Sequence, residues 1–272
     1  MSFYRYYGIA LLLLVRALVA EAGGPHVLIP AGKYRPFFKE ISSSSLNKGA
    51  PAVLELQEKE VDVSSFYLDR FPVTNLELNA FLAANAQYRK SKILPLFAES
   101  RYLQSWKSDL LSSDELRTVG NRPATEVSWF VARRYCQAKG KRLPTITEWE
   151  YAGDVTNPEV LSQLLAWYAK TGDWELDAVG RQKPNIFGVY DMHGLIWEWV
   201  EDFNAVMIST DSRSKGDRTV GLFCGAGSIN ATDSKEYATF MRYGFRSGLR
   251  GDYCLKTLGF RCALDVGKEK AE

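Results

Sequence analysis

Histidine is nearly absent from this chain of 272 residues: it has two, His26 and His193. Two imidazoles cannot make a three-histidine metal site. Cysteine is scarce as well, and Cys136, Cys224, Cys254 and Cys262 contain no C-x-x-C pair. That spacing excludes zinc ribbons and thioredoxin-like sites. Neither G-x-S-x-G, nor a phosphate-binding P-loop, nor the glycine fingerprint of a dinucleotide fold occurs, so hydrolases of that kind and nucleotide enzymes have no support. A net charge of +2 with no basic stripe gives no electrostatic case for nucleic acid as a partner. Internal repeats are missing, and the only low-complexity tract is the serine run at 42–45.

What is present describes an ordinary folded protein. Hydrophobic residues make up 46%, and seven Trp and fourteen Tyr suit an irregular fold that uses large side chains in its loops. The first 22 residues read as a secretory signal. Arg5 supplies the charge, residues 8–15 a short apolar core, and Ala20-Glu21-Ala22 a cleavage site. Eight apolar residues ended by Arg16 are too few to span a bilayer, so the protein is expected not to span the membrane once the signal is removed. The expected location is periplasmic or secreted, with one domain over 23–272. In an oxidising compartment the four cysteines read as disulfides, and three pairings are open.

The chain is organised around residues 184–203, PNIFGVYDMHGLIWEWVEDF. Asn185, Gly188 and Gly194 mark turns, while Ile186, Phe187, Val189, Tyr190, Trp197 and Trp199 are core-forming. Asp191, Glu198, Glu201 and Asp202 place carboxylates beside tryptophan, which is costly unless they are paired, hydrogen-bonded or bound to a metal. Two readings follow: a tight turn over core tryptophans, or a loop wrapping one hard cation such as Ca²⁺.

Other stretches predict elements. Residues 26–34 read as a strand broken at Pro30 and Gly32, and residues 60–68 alternate as a second strand. Thr74 with Glu77 forms a capping box ahead of an amphipathic helix, and Thr145 with Glu148 forms another ahead of a helix over 146–152. Val131, Tyr135 and Ala138 lie at helical spacing, closed by Gly140. Residues 87–119 read as a long, partly helical surface excursion. Arg142, Glu148 and Glu150 read as a structural ion-pair cluster, His26 as frayed, and 257–263 as the last strand.

The run G-V-Y-D-M-H-G-L-I-W-E-W-V-E-D resembles the signature of the formylglycine-generating enzymes, or sulfatase-modifying factors. So do residues 121–151, NRPATEVSWFVARRYCQAKGKRLPTITEWEY, and the ending L-G-F-R-C-A. Leu195 departs from the family's usual Asn. The resemblance implies an α/β (α+β), complex, loop-rich single domain related to the C-type lectin fold. It implies a structural Ca²⁺ held by the side chains of Asp191 and Glu198 and the carbonyls of Gly194 and Ile196. It also implies a disulfide between Cys136 and Cys262.

The family's copper-binding cysteine pair would fall around residues 235–238, and none of those is Cys. A Cu(I) site of that type therefore cannot form, and the redox metal is unknown. Cys224 and Cys254 remain as a second disulfide or as a reactive pair, which makes them candidate catalytic residues. Trp129, Arg242 and Arg246 suit a groove for carboxylate or peptide backbone, although arginines paired with acids at the core edge would give the same pattern. The chain is similar to the exported branch that tailors siderophores. That likeness implies oxidative maturation or tailoring of a protein or peptide carrying a thiol or phenol. A catalytically silent binding or accessory module on the same scaffold is the alternative.

Overall fold

Pro30 cannot donate to a ladder, and the extended run at 26–34 divides there, as the sequence predicts. It gives β1 (His26–Ile29) and β2 (Gly32–Tyr34). The computed structural model describes residues 25–35, 40–41, 56–57, 60–153, 158–169, 175–204 and 234–267. The proposed signal and Cys224 fall outside them.

Further strands are β3 (Glu40–Ile41), β4 (Leu56–Gln57), β5 (Val61–Val63), β6 (Phe66–Asp69), β7 (Trp197–Glu198), β8 (Leu258–Gly259) and β9 (Ala263–Asp265). Helices are α1 (Asn75–Ala84), α2 (Ser113–Val119), α3 (Trp129–Ala138), α4 (Ile146–Gly153), α5 (Pro158–Tyr168) and α6 (Ser234–Ser247). β6 is the middle strand of an antiparallel sheet ordered β1-β6-β9. Its register sets His26 opposite Asp69 on one side and Phe66 opposite Asp265 on the other. Phe66 and Leu68 alternate into the core, so one short strand binds both ends of the described chain. β2 pairs with β5 and β3 with β4, both antiparallel, while β7 pairs with β8 in parallel.

The helix expectations hold locally. Thr74 caps α1 in a complete box with Glu77, and Thr145 and Glu148 exchange the same two bonds ahead of α4. Gly140 closes α3 with a φ of 70°. Gly259 is required where β8 meets the chain before α3, because an added Cβ would lie 2.4 Å from the Ala124 carbonyl oxygen.

Four expectations are corrected. The final strand divides into β8 and β9, because the intervening Phe260, Arg261 and Cys262 turn into the interior and are fully buried. The excursion at 87–119 sends Tyr102, Leu103 and Trp106 into the core. Ile186 faces solvent at the tip of its turn, at 69% exposure. His26 is paired in β1, with its ring 5.0 Å from Tyr67 and edge-on to it. Among the described residues no helix is long and apolar enough to cross a membrane.

Candidate functional site

Residues 184–203 form a series of tight turns stapled to the C-terminal segment. The Asn185 side-chain oxygen accepts from the backbone N–H of Phe187 and Val189, and its amide donates to the Ala152 carbonyl. Gly188 and Gly194 take φ of 80° and 94°, and Asp191 takes 56°, where non-glycine residues are uncommon. These turns aim Glu198 inward from β7.

Glu198 faces Arg261 with neither side chain exposed. Arg261 Nε and Nη2 donate to both carboxylate oxygens at 2.7–3.1 Å, and Trp149 Nε1 adds a bond of 2.7 Å to Oε2. The remaining Arg261 N–H groups reach the carbonyls of Asp69, Arg70 and Tyr190. One guanidinium thereby ties the sheet, the turn and the last segment together.

Glu198, one of the expected calcium ligands, is engaged in this knot, so a cation held by Asp191, Gly194, Ile196 and Glu198 would share its carboxylate with Arg261. Asp191 Oδ2 accepts from the Gly180 N–H, and burial raises this carboxyl above its ordinary range. Among the described residues, no group of three or more His, Cys, Asp or Glu side chains is placed to share a metal ion.

Glu150 on α4 forms a second buried knot. Arg242 Nε and Nη2 and Arg246 Nη1 donate to its two oxygens at 2.6–2.9 Å. Arg242 Nη2 also reaches the Thr239 hydroxyl, and the Arg246 guanidinium lies 4.5 Å above the Trp149 ring. Burial pushes the Glu150 carboxyl up, but the two guanidiniums outweigh it and bring it down to about 2. The expected recognition groove is therefore corrected, because Arg242 and Arg246 are 2% and 3% exposed and spent on Glu150. Trp129 lies elsewhere, on α3, where it donates from Nε1 to the Val200 carbonyl beneath Arg133. The acidic cluster also divides: Glu148, without Glu150, pairs with Arg142.

The cysteines separate cleanly. Cys136 and Cys262 form a disulfide with Cα atoms 5.6 Å apart, joining α3 to the C-terminal segment as the resemblance implied. Cys254 is a free, buried thiol whose Sγ donates to the Asp252 carbonyl. Burial pushes it up to about 12, opposite to what a reactive thiolate requires. Cys254 is therefore not an activated nucleophile in this structure, and the expected pairing with Cys224 lies outside the described residues.

Residues 235–238, where the resemblance would place copper-binding cysteines, lie on α6. Ala238 is fully buried against Leu164 and Trp167 of α5. Around it Tyr168 stacks on Trp197 at 5.4 Å, and Trp197 stacks on Phe245 at 4.2 Å. Ala238 thus faces this aromatic cluster, while Tyr237 beside it is exposed.

Sequence reasoning missed a cleft of about 590 Å³ lined by Trp106, Leu111, Arg122, Glu126 and Lys256, among others. Leu103 and Glu126 beside it have φ of 46° and 57° and are joined by the bond from Leu103 N–H to the Glu126 carbonyl. The Glu126 carboxylate accepts from the Ser105 N–H. A usable signal lay nearby: Ser112 and Glu115 have capping-box spacing and do cap α2, a wall of this cleft.

A small central sheet, helices joined by long structured loops, and two buried carboxylate–arginine knots make up a protein whose class is that of the sulfatase-modifying factors. Residues 20–266 match the family model described as "Sulfatase-modifying factor enzyme 1-like domain", and the chain belongs to this family. It is 27% identical over 256 residues to the inactive C-alpha-formylglycine-generating enzyme 2 of Bos taurus, covering 79% of this chain and 82% of that protein. Identity to the formylglycine-generating enzyme of Streptomyces coelicolor is 26% over 288 residues, with 88% and 89% covered. Among solved structures, PvdO from Pseudomonas aeruginosa superposes with a TM-score of 0.45 at 18% identity, covering 89% of this chain and 94% of that one.

Proposed function

We propose that this protein is an exported member of the family that binds a protein or peptide during its maturation and does not carry out copper–thiolate oxidation itself. One observation carries this reading. Ala238 occupies the segment assigned to the copper cysteines and is buried under Leu164 and Trp167, inside a stacked aromatic wall. A methyl group there supplies no ligand. The likeness to a mammalian relative named as inactive agrees with it. The Cys136–Cys262 bridge agrees with an oxidising compartment. The cleft beside Trp106 has the volume of a site for a small ligand or a short peptide segment.

Oxygen uptake by the purified protein, supplied with copper and a cysteine-containing peptide, tests the proposal. The expected rate equals that of the copper–peptide control, with no tight Cu(I) site in competition with a chromophoric chelator. Stoichiometric Cu(I) binding with peptide-dependent oxygen uptake would restore the oxidative-maturation reading.

A further inference from the structure

Exposed apolar side chains gather in the loop after α1. Leu94, Leu96 and Phe97 are three of the nine large hydrophobic residues exposed among the described ones, at 60%, 74% and 37%. Apolar surface continues from them onto α3. The Phe97 ring meets Phe130 edge-on at 5.6 Å, and Phe130 meets the half-buried Trp129 at 5.4 Å. The tip is held in place. The Ile93 N–H donates to the Arg89 carbonyl and the Phe97 N–H to the Leu94 carbonyl, while Ser91 is bonded to Asp109. Adjoining apolar side chains fixed in solvent mark an interaction surface.

The charge beside this tip is mostly of one sign. Residues 78–98 contain Arg89, Lys90 and Lys92 and no Asp or Glu. Arg89 donates to the carbonyls of Leu82 and Ala83, and Lys90 to those of Gln104 and Trp106. On α3, Arg134 stands four positions after Phe130, which places both on one helix face. It donates to the Tyr88 hydroxyl and the Gln137 side-chain oxygen. Neutral partners leave these charges uncancelled, and Lys92 is exposed. Asp109 offsets one of the four cations. Glu99 with Arg101 and Asp252 with Arg250 form ion pairs at the border and add no net charge.

We propose that this tip is a docking surface for a lipid bilayer carrying anionic headgroups. Leu94, Leu96 and Phe97 enter the boundary between headgroups and acyl chains, and Trp129 lies at the level where its ring is favoured. Lys92 and Arg134, with Arg89 and Lys90 behind them, attract the lipid phosphates. The excess of positive charge selects this occupant. A protein partner would need roughly 800 Å² of this surface, whereas the exposed apolar group spans four consecutive positions. The protein then rests on a membrane without crossing it, and this inference does not depend on the proposed function.

Co-sedimentation of the full chain with vesicles at low salt tests the surface. The protein is expected to bind vesicles of equal parts phosphatidylglycerol and phosphatidylcholine at least about tenfold more tightly than pure phosphatidylcholine. Leu94→Ser with Leu96→Ser, and separately Lys92→Glu with Arg134→Glu, should each weaken binding to the mixed vesicles by about tenfold or more. Little change in Tm is expected, because all four side chains are exposed. Absent binding, equal binding to both vesicles, or binding unaltered in either variant would overturn the proposal. So would a dimer in sedimentation equilibrium that Leu94→Ser with Leu96→Ser dissociates, because it would assign the tip to a second copy of the chain.

Discussion

Single buried charges decide the most at the residue scale. Glu150 serves two guanidiniums, so Glu150→Ala leaves both without a carboxylate partner in the interior. Breaking a buried pair this way costs about 3–5 kcal/mol, a fall in Tm of roughly 10 °C for a chain of this size. Replacing all three residues by apolar ones, Glu150→Leu with Arg242→Met and Arg246→Leu, is expected to lose less, because it also removes the cost of burying charge. Calorimetry of the two variants checks the order. His193 sets a pH dependence. Its folded pKa of about 3 lies below its ordinary 6.5, so within that window the unfolded chain binds a proton that the folded chain refuses. Stability is complete above pH 6.5 and declines as pH falls toward 3. Denaturant titrations of His193→Gln between pH 6.5 and 5 should give a flatter profile than the parent; an unchanged slope would assign the loss to other groups.

Capping and cross-linking dominate at the scale of elements. Thr74 satisfies the Glu77 N–H while Glu77 satisfies the Thr74 N–H, so Thr74→Ala should cost about 1 kcal/mol. The Cys136–Cys262 bridge spans 126 residues and holds α3 to a segment otherwise secured by short strands. Its removal by Cys136→Ser with Cys262→Ser should lower stability by up to ~4–5 kcal/mol on the chain-entropy account. Denaturant unfolding with and without reductant measures it, and the double variant should be insensitive to reductant. These elements were the most legible part of the sequence. Thr74-x-x-Glu77, Thr145-x-x-Glu148 and Gly140 act within a few residues, and local backbone chemistry settles them. The core role of Tyr102, Leu103 and Trp106 was not legible, because irregular segments have no period to show which side faces inward.

The whole molecule is closed by β6, which pairs with residues from both ends of the described chain. Unfolding should therefore be one cooperative event, with tryptophan fluorescence and far-ultraviolet circular dichroism tracing superimposable transitions. Two separated transitions would mean that the C-terminal segment folds on its own. By itself the sequence determined the family, the single α/β domain and the turns of the central loop, because these rest on residue identity and short-range spacing. Only the tertiary structure decided the partners of the buried charges. Arg142 lies six positions from Glu148 and eight from Glu150, yet it pairs with Glu148 while Glu150 takes Arg242 and Arg246 from α6. Glu198 received Arg261, 63 residues away. A buried carboxylate must be neutralised, but which cation reaches it depends on the packing of distant segments, and local spacing does not encode that.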